Sequence, residues 1–165
     1  MMSLRQFAPY FLVCLVLGGS LAQAQGMNLG FGGPSQDPTA PVEVTADELS
    51  VDQAQSQAVF NGNVRVVQGN LRLAAGQVRV EYGDDGQGIR KVHASGGVLV
   101  STEKDAAESQ SASYDIQTGG LVMEGEVLLT QGQMAISGDR LVADLRAGTG
   151  RMEGRVRTVL QTGGN

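Results

Sequence analysis

The stretch FNGNVRVVQGNLRL, residues 60–73, decides how this chain folds. Phe60, Val64 and Val66 stand on one parity, and Asn61, Asn63 and Arg65 stand on the other. After the turn residues Gln68 and Gly69 the alternation resumes with Leu71 and Leu73. Alternation at period two, bounded by turn formers, is the pattern of half-buried strands. Gly62, inside the run, marks a strand position that needs a bulge, a sharp bend or a close backbone approach. The unit returns as ASGGV at 94–98, MEGEV at 123–127 and MEGRV at 152–156, with successive glycines 34, 29 and 29 residues apart.

A longer repeat lies behind the short one. Residues 46–82 align without a gap on 109–145, at an offset of 63. Asp52 meets Asp115, Gly62 meets Gly125, Val64 meets Val127, and Gln68-Gly69 meets Gln131-Gly132. Leu71 and Leu73 fall on Met134 and Ile136, and Val78 falls on Leu141. Apolar parity therefore survives where identity is lost. A slip of one residue would turn every apolar side chain to the wrong face, so the register is strongly specified. Each unit amounts to two or three strands, too few to bury an apolar face alone, and stacked neighbours supply the missing layer.

Working outward, the same alternation runs through Val42 and Val44, then Val78, Val80 and Tyr82, then Val98, Val100 and Ile116. Residues 102–111, TEKDAAESQS, fit either one helical turn or a polar loop running into a strand. The predicted inward set starts with Val42, Val44, Leu49, Val51, Phe60, Val64, Val66, Leu71, Leu73, Val78, Val80, Tyr82, Val98, Val100 and Ile116. It continues with Met123, Val127, Leu129, Met134, Ile136, Leu141, Ala143, Leu145, Met152, Val156 and Leu160. Such an interior is either the dry core of a sandwich or an apolar groove between two curled sheets. Aliphatic walls with pliable methionines would suit disordered acyl chains. Periodicity and composition do not choose between the two.

The first residues are set apart from the fold. Arg5 precedes an apolar run at 7–17, and Ala22-Gln23-Ala24 has the small–x–small form of a cleavage site. Residues 1–24 are therefore expected to be a cleaved secretory signal. Cys14, the only cysteine, would leave with it, and Val13 before it does not fit a lipid-attachment site. The exported chain is expected to rely on packing and not on disulfides. Residues 25–40 read as a flexible lead-in, 41–161 as the β-domain and 162–165 as a flexible tail. The net charge is −5, and loss of Arg5 leaves 11 basic against 17 acidic side chains. Without a basic cluster, nucleic-acid binding is disfavoured.

No residue set is expected to carry catalysis, a metal or a cofactor. His93, the only histidine, has no partners at ligand spacing. Asp84-Asp85-Gly86 has the acidic start of a calcium loop without its remaining ligands, and reads as a hairpin turn. Asp47, Asp52, Asp115 and Asp139 recur near strand starts, where hydrogen bonding in turns accounts for them.

The order of VEVTADEL (42–49), FNGNV (60–64) and QG (68–69), then QG (131–132), GDRL (138–141), DL (144–145) and GRMEG (150–154), resembles the OstA-like domain of lipopolysaccharide-transport proteins. The resemblance spans roughly residues 41–160, nearly all of the expected exported chain. Ala74-Ala75-Gly76 replaces an Ala-Asp step of the family pattern and is expected to alter only a turn. The resemblance implies an all-β fold, a twisted antiparallel β-jelly-roll of two facing sheets, V-shaped and open-ended. It also implies a periplasmic protein that binds lipopolysaccharide through its lipid A acyl chains, with Val42, Val44 and Ile116 at groove-lining positions. Copies would join head to tail into a bridge from an inner-membrane transport component (LptC-like) to an outer-membrane translocon (LptD-like). Unclosed sheets leave edges ready to pair. The candidate docking edges are Val42, Glu43, Val44 and Thr45 at the first strand, and Arg155, Val156, Arg157, Thr158 and Val159 at the last. The alternatives are an inner-membrane-anchored member of the same family, or a secreted structural or adhesive repeat protein with a dry core.

Overall fold

The computed structural model describes residues 27–28, 40–83, 88–103 and 105–161. The expected signal (1–24) and tail (162–165), most of the lead-in, and the Asp84-Asp85-Gly86 turn lie outside the described residues.

The described chain forms strands β1 (Met27–Asn28), β2 (Glu43–Thr45), β3 (Glu48–Asp52), β4 (Gln57–Gln68), β5 (Leu71–Tyr82) and β6 (Ile89–Ser101). It continues with β7 (Asp105–Asp115), β8 (Gly120–Gln131), β9 (Met134–Asp144), β10 (Thr149–Glu153) and β11 (Arg157–Leu160). Strands β4 to β9 make an antiparallel meander. On its first side β4 pairs with β2 and β3, and on its last side β9 pairs with β10 and β11. The offset of 63 read in the sequence carries β4 (57–68) onto β8 (120–131) residue for residue, and β3 (48–52) onto the second half of β7 (111–115). The expected turns form at Gly69 and Gly132, whose φ angles of 54° and 55° suit the first position of a two-residue hairpin.

The recurring glycine bends the sheet. Pairing slips between Asn61 and Val64 of β4, between Ser95 and Val98 of β6, and between Glu124 and Val127 of β8. At each slip the glycine-bearing strand carries one residue more than its neighbour, which makes a β-bulge. Gly62, Gly96 and Gly125 sit there at φ 76°, 80° and 83°, and each is followed by a second residue at positive φ: Asn63, Gly97 or Glu126. Gly154 and Arg155 repeat the device between β10 and β11, and the chain breaks at Asp47 between β2 and β3. The aligned bulges fold one meander into two half-sheets. The first holds β3, the opening halves of β4, β6 and β8, the closing halves of β5, β7 and β9, and β10. The second holds β2, the complementary halves and β11.

Inward residues from both halves meet in one cluster. It includes Val78, Ala94, Met123 and Leu141 from the first half and Val64, Val98, Val127 and Leu129 from the second. This is the predicted all-β jelly-roll: two facing half-sheets around a shared interior, with edges that do not close.

Two expectations need correcting. Of the two readings of residues 102–111 the loop running into a strand holds and the helical turn does not, but the loop is shorter than expected, since β7 already starts at Asp105. Its inward residues are small, Ala107, Ser109 and Ala112, so the alternation has little contrast in hydrophobicity. For the same reason the inward set lacked Ala58, Ala75 and Ala94, all buried. Also, Met27–Asn28 within the lead-in form a strand against β10 that local sequence did not indicate.

Candidate functional site: the interior and its open ends

The inward face alternates within each half-strand, with β5, β7 and β9 switching parity at the bend (Leu73 and Ala75, then Val78 and Val80, in β5), and its middle is tightly filled. Met123, Leu129 and Leu141 are 0% exposed, and Val64, Val78, Val80, Val98, Val100, Val127 and Ile136 are also buried. Val44, Phe60, Val66, Leu71, Leu73, Tyr82, Met134, Leu145 and Met152 pack against this centre but remain partly accessible.

Both ends behave differently. Leu49 and Val51 of β3 stand opposite Phe60 and Ala58 of β4. Directly opposed residues of an antiparallel pair share a face, so Leu49 and Val51 face inward. They are nevertheless 55% and 64% exposed. At the other end Leu160 of β11 stands opposite Met134, on the inward face, and is 62% exposed. The interior thus runs from one uncovered aliphatic end to another. Val51 was expected among the buried lining; it has the right parity but no opposing layer.

The bends are held from outside by a recurring contact. Asn63 Nδ2 donates to Asp47 at 2.8 Å, Gln110 Nε2 donates to Glu126 at 3.2 Å, and Arg155 donates to Asp139 at 2.6 Å. In each pair the residue after the bulge glycine meets the one sixteen positions before it. Asp47 and Asp139 also close on Gly62 and Gly154, leaving no room for a Cβ. These two aspartates are therefore bend locks, not turn formers as expected. Asp52 and Asp115 do cap turns, accepting from Ala54 N and Thr118 N at 2.9 Å.

The bend at Gly96 has no such lock. Gly76 faces Gly96 there, and a Cβ on Gly96 would lie 3.2 Å from the Gly76 Cα. Gly76 is the offset-63 counterpart of Asp139, so the Ala74-Ala75-Gly76 departure alters a bend and not a turn. An open groove of about 570 Å³ follows this place, lined by Asn63, Arg65, Gly76, Gly97, Leu99 and Glu108 among others. Arg65, Ala74, Leu99 and Glu108 form one cross-strand row of the parity opposite to the core, so the groove lies on the outer face.

Charges on the outer face pair with one another. Arg140 reaches Glu124 at 3.0 Å and Glu153 at 3.2 Å, and Arg151 reaches Glu153 at 2.6 Å. His93 contacts Glu81 at 3.2 Å, and no group of metal-binding side chains occurs among the described residues. Hydrogen bonds from Arg151 and Arg140 hold the Glu153 carboxyl below its usual value, and Arg155 does the same for Asp139. A depressed carboxylate adds stability above its unfolded value, here near 3.8 for Asp139, and that stability is lost as pH falls through the lower folded value. Urea midpoints measured from neutral to about pH 2 are expected to fall for the parent chain and fall less for Asp139→Asn. Parallel profiles for the two would refute a role for the lock in acid stability.

A family model described as LptA/(LptD N-terminal domain) LPS transport protein matches residues 43–149. The chain belongs to this LptA family of lipopolysaccharide-transport proteins. The match begins at the first residue of β2 and ends at the first of β10, so it takes in the whole meander. Across 162 residues the chain is 27% identical to an uncharacterized protein of Rhizobium meliloti (strain 1021), over 88% of this chain and 83% of that one. Its fold is similar to that of LptH from Pseudomonas aeruginosa, described as the LptA homologous periplasmic component of the lipopolysaccharide transport device. The TM-score is 0.68 at 20% identity, with 78% of this chain and 99% of that one covered.

In this LptA-family chain the positions singled out by resemblance fall in different places. Val44 lies in β2, opposite Val66, and packs on the core. Val42 precedes β2 and is exposed. Ile116 follows the end of β7 at Asp115 and sits, partly buried, in the turn after it, its carbonyl accepting from Arg146 at 2.7 Å. Of the expected docking residues, Glu43, Val44 and Thr45 form the outer strand β2, while Arg157, Thr158 and Val159 belong to the outer strand β11. Arg155 is taken up by Asp139 at the bend, and Val156 lies between the bend and β11. The sequence reading missed that β3 is an edge too, and that β10 lies beside β9 with β1 on its outer side.

Proposed function

We propose that this protein carries lipopolysaccharide through the periplasm, holding the lipid A acyl chains along its interior and joining other rolls end to end. The observation that carries the reading is the continuous aliphatic interior, uncovered at both ends, in a member of a lipopolysaccharide-transport family. On this reading the first acyl contacts are made at the ends, since the middle is tightly filled and Leu49 and Val51 or Leu160 face inward without a second layer. Met123, Met134 and Met152 supply a pliable lining between them. The small–x–small site after the apolar run, and the periplasmic description of LptH, support a periplasmic location. The unclosed edges suit strand addition, to further copies and to LptC-like and LptD-like components at the two membranes. No catalytic step is part of this reading.

Photo-crosslinking tests it. Probes at Leu49, Phe60 and Leu160 are expected to capture lipopolysaccharide in cells, while probes at the outward Arg72 and Arg79 stay unlabelled. Equal labelling of the two sets would sink the acyl path.

A further inference from the structure

One edge of the roll is already occupied, and its occupant is this chain. Met27 and Asn28 of β1 pair antiparallel with Gly150 and Thr149 of β10, the outer strand of the first half-sheet. The neighbouring edge, β11, pairs with β9 alone among the described strands. In chain order β1 precedes β2, so the segment that covers this edge belongs by sequence to the opposite end of the sheet.

The internal repeat says what else fits there. Gly154 is the counterpart of Gly96, so β10 and β11 together correspond to β6. By the offset of 63, β2 and β3 correspond to β7. Within the chain β6 pairs with β7, with Lys91 opposite Asp115 and Val92 opposite Tyr114. Transferring that register, β10 of one copy would pair with β3 of the next, Thr149 opposite Asp52 and Gly150 opposite Val51. Met152 would then stand opposite Leu49, giving that exposed inward side chain a cross-strand neighbour. β1 sits in this same register and direction: Met27 holds the place of Val51, and Asn28 the place of Asp52.

We propose that β1 is a self-cap, which occupies on β10 the position that Val51 and Asp52 of a second copy take when two rolls join. This rests on the head-to-tail reading above and adds its regulation. A tethered segment competes at the high effective concentration of an intramolecular ligand, yet two paired residues give it only a weak hold. The isolated chain therefore offers a free edge in its second half-sheet and a guarded one in its first, and complete joining requires β1 to leave.

Without Cys14 the exported chain has no cysteine, so engineered pairs can be read directly. The pair Asn28→Cys with Thr149→Cys is expected to close within one chain and to keep it monomeric until reduced. The pair Asp52→Cys with Thr149→Cys is expected to link separate chains, whereas Asp52→Cys with Glu153→Cys is not. Adding Met27→Pro and Asn28→Pro, which prevent strand pairing by β1, should raise the linked fraction of the Asp52→Cys, Thr149→Cys chain on the order of tenfold. If the Asn28→Cys, Thr149→Cys chain links only to other chains and never to itself, the proposal is overturned. So it is by a linked fraction unchanged by the prolines, or by equal linkage at positions 149 and 153. All these readouts are made without lipopolysaccharide, so they fail separately from the acyl-capture test.

Discussion

Leu129→Ala is expected to destabilise the protein by about 2–5 kcal/mol, whereas Leu128→Ala beside it costs less than about 1 kcal/mol. Leu129 is 0% exposed and Leu128 is 37% exposed, because successive residues of β8 point to opposite faces. Truncating Leu129 removes buried methyl groups and leaves a cavity among neighbours drawn from both half-sheets. Small domains have roughly 5–15 kcal/mol of total stability, so the Leu129 variant would retain little margin. Urea unfolding of the two variants measures the difference directly. Similar midpoints would mean that the inward parity assigned to β8 is wrong.

The second large effect is at the middle bend. Gly96 and Gly97 share a φ of 80°, but a Cβ on Gly96 meets the Gly76 backbone, while one on Gly97 meets nothing within 4 Å. Gly96→Val combines backbone strain with overpacking against main chain and is expected to cost about 2–6 kcal/mol. Gly97→Asn keeps a residue type that tolerates left-handed backbone and is expected to stay within about 1 kcal/mol of the parent. Thermal unfolding of both chains separates steric closeness from conformation alone. If the two lose equal stability, the approach of Gly76 to Gly96 contributes nothing to the fold.

Much of this architecture was legible in the sequence because its determinants are local. Period-two alternation in 60–73, repeated at an offset of 63, is enough to define strands, their inward parity and the place of each bend. The resemblance in 42–49 and 138–154 pointed to the same domain, and residues 43–149 match its family model. Contrast in hydrophobicity limited the reading, so the small inward residues Ala107 and Ser109 carried no strand signal. Asp47 and Asp139 were noticed as recurrent, but their role depends on a glycine fifteen residues away that only the folded sheet brings beside them.

The candidate site divides in the same way. The alternation alone determined that Leu49, Val51 and Leu160 face the same side as the core. Only the tertiary structure decided that they remain exposed there, because burial at a sheet end requires an opposing layer that no local pattern records. It also decided that the aliphatic middle packs shut while the ends stay open. The guarded edge at β10 is of the same kind: Met27 and Asn28 carry no strand signal of their own, and their pairing exists because the fold presents an unpaired strand with matching register.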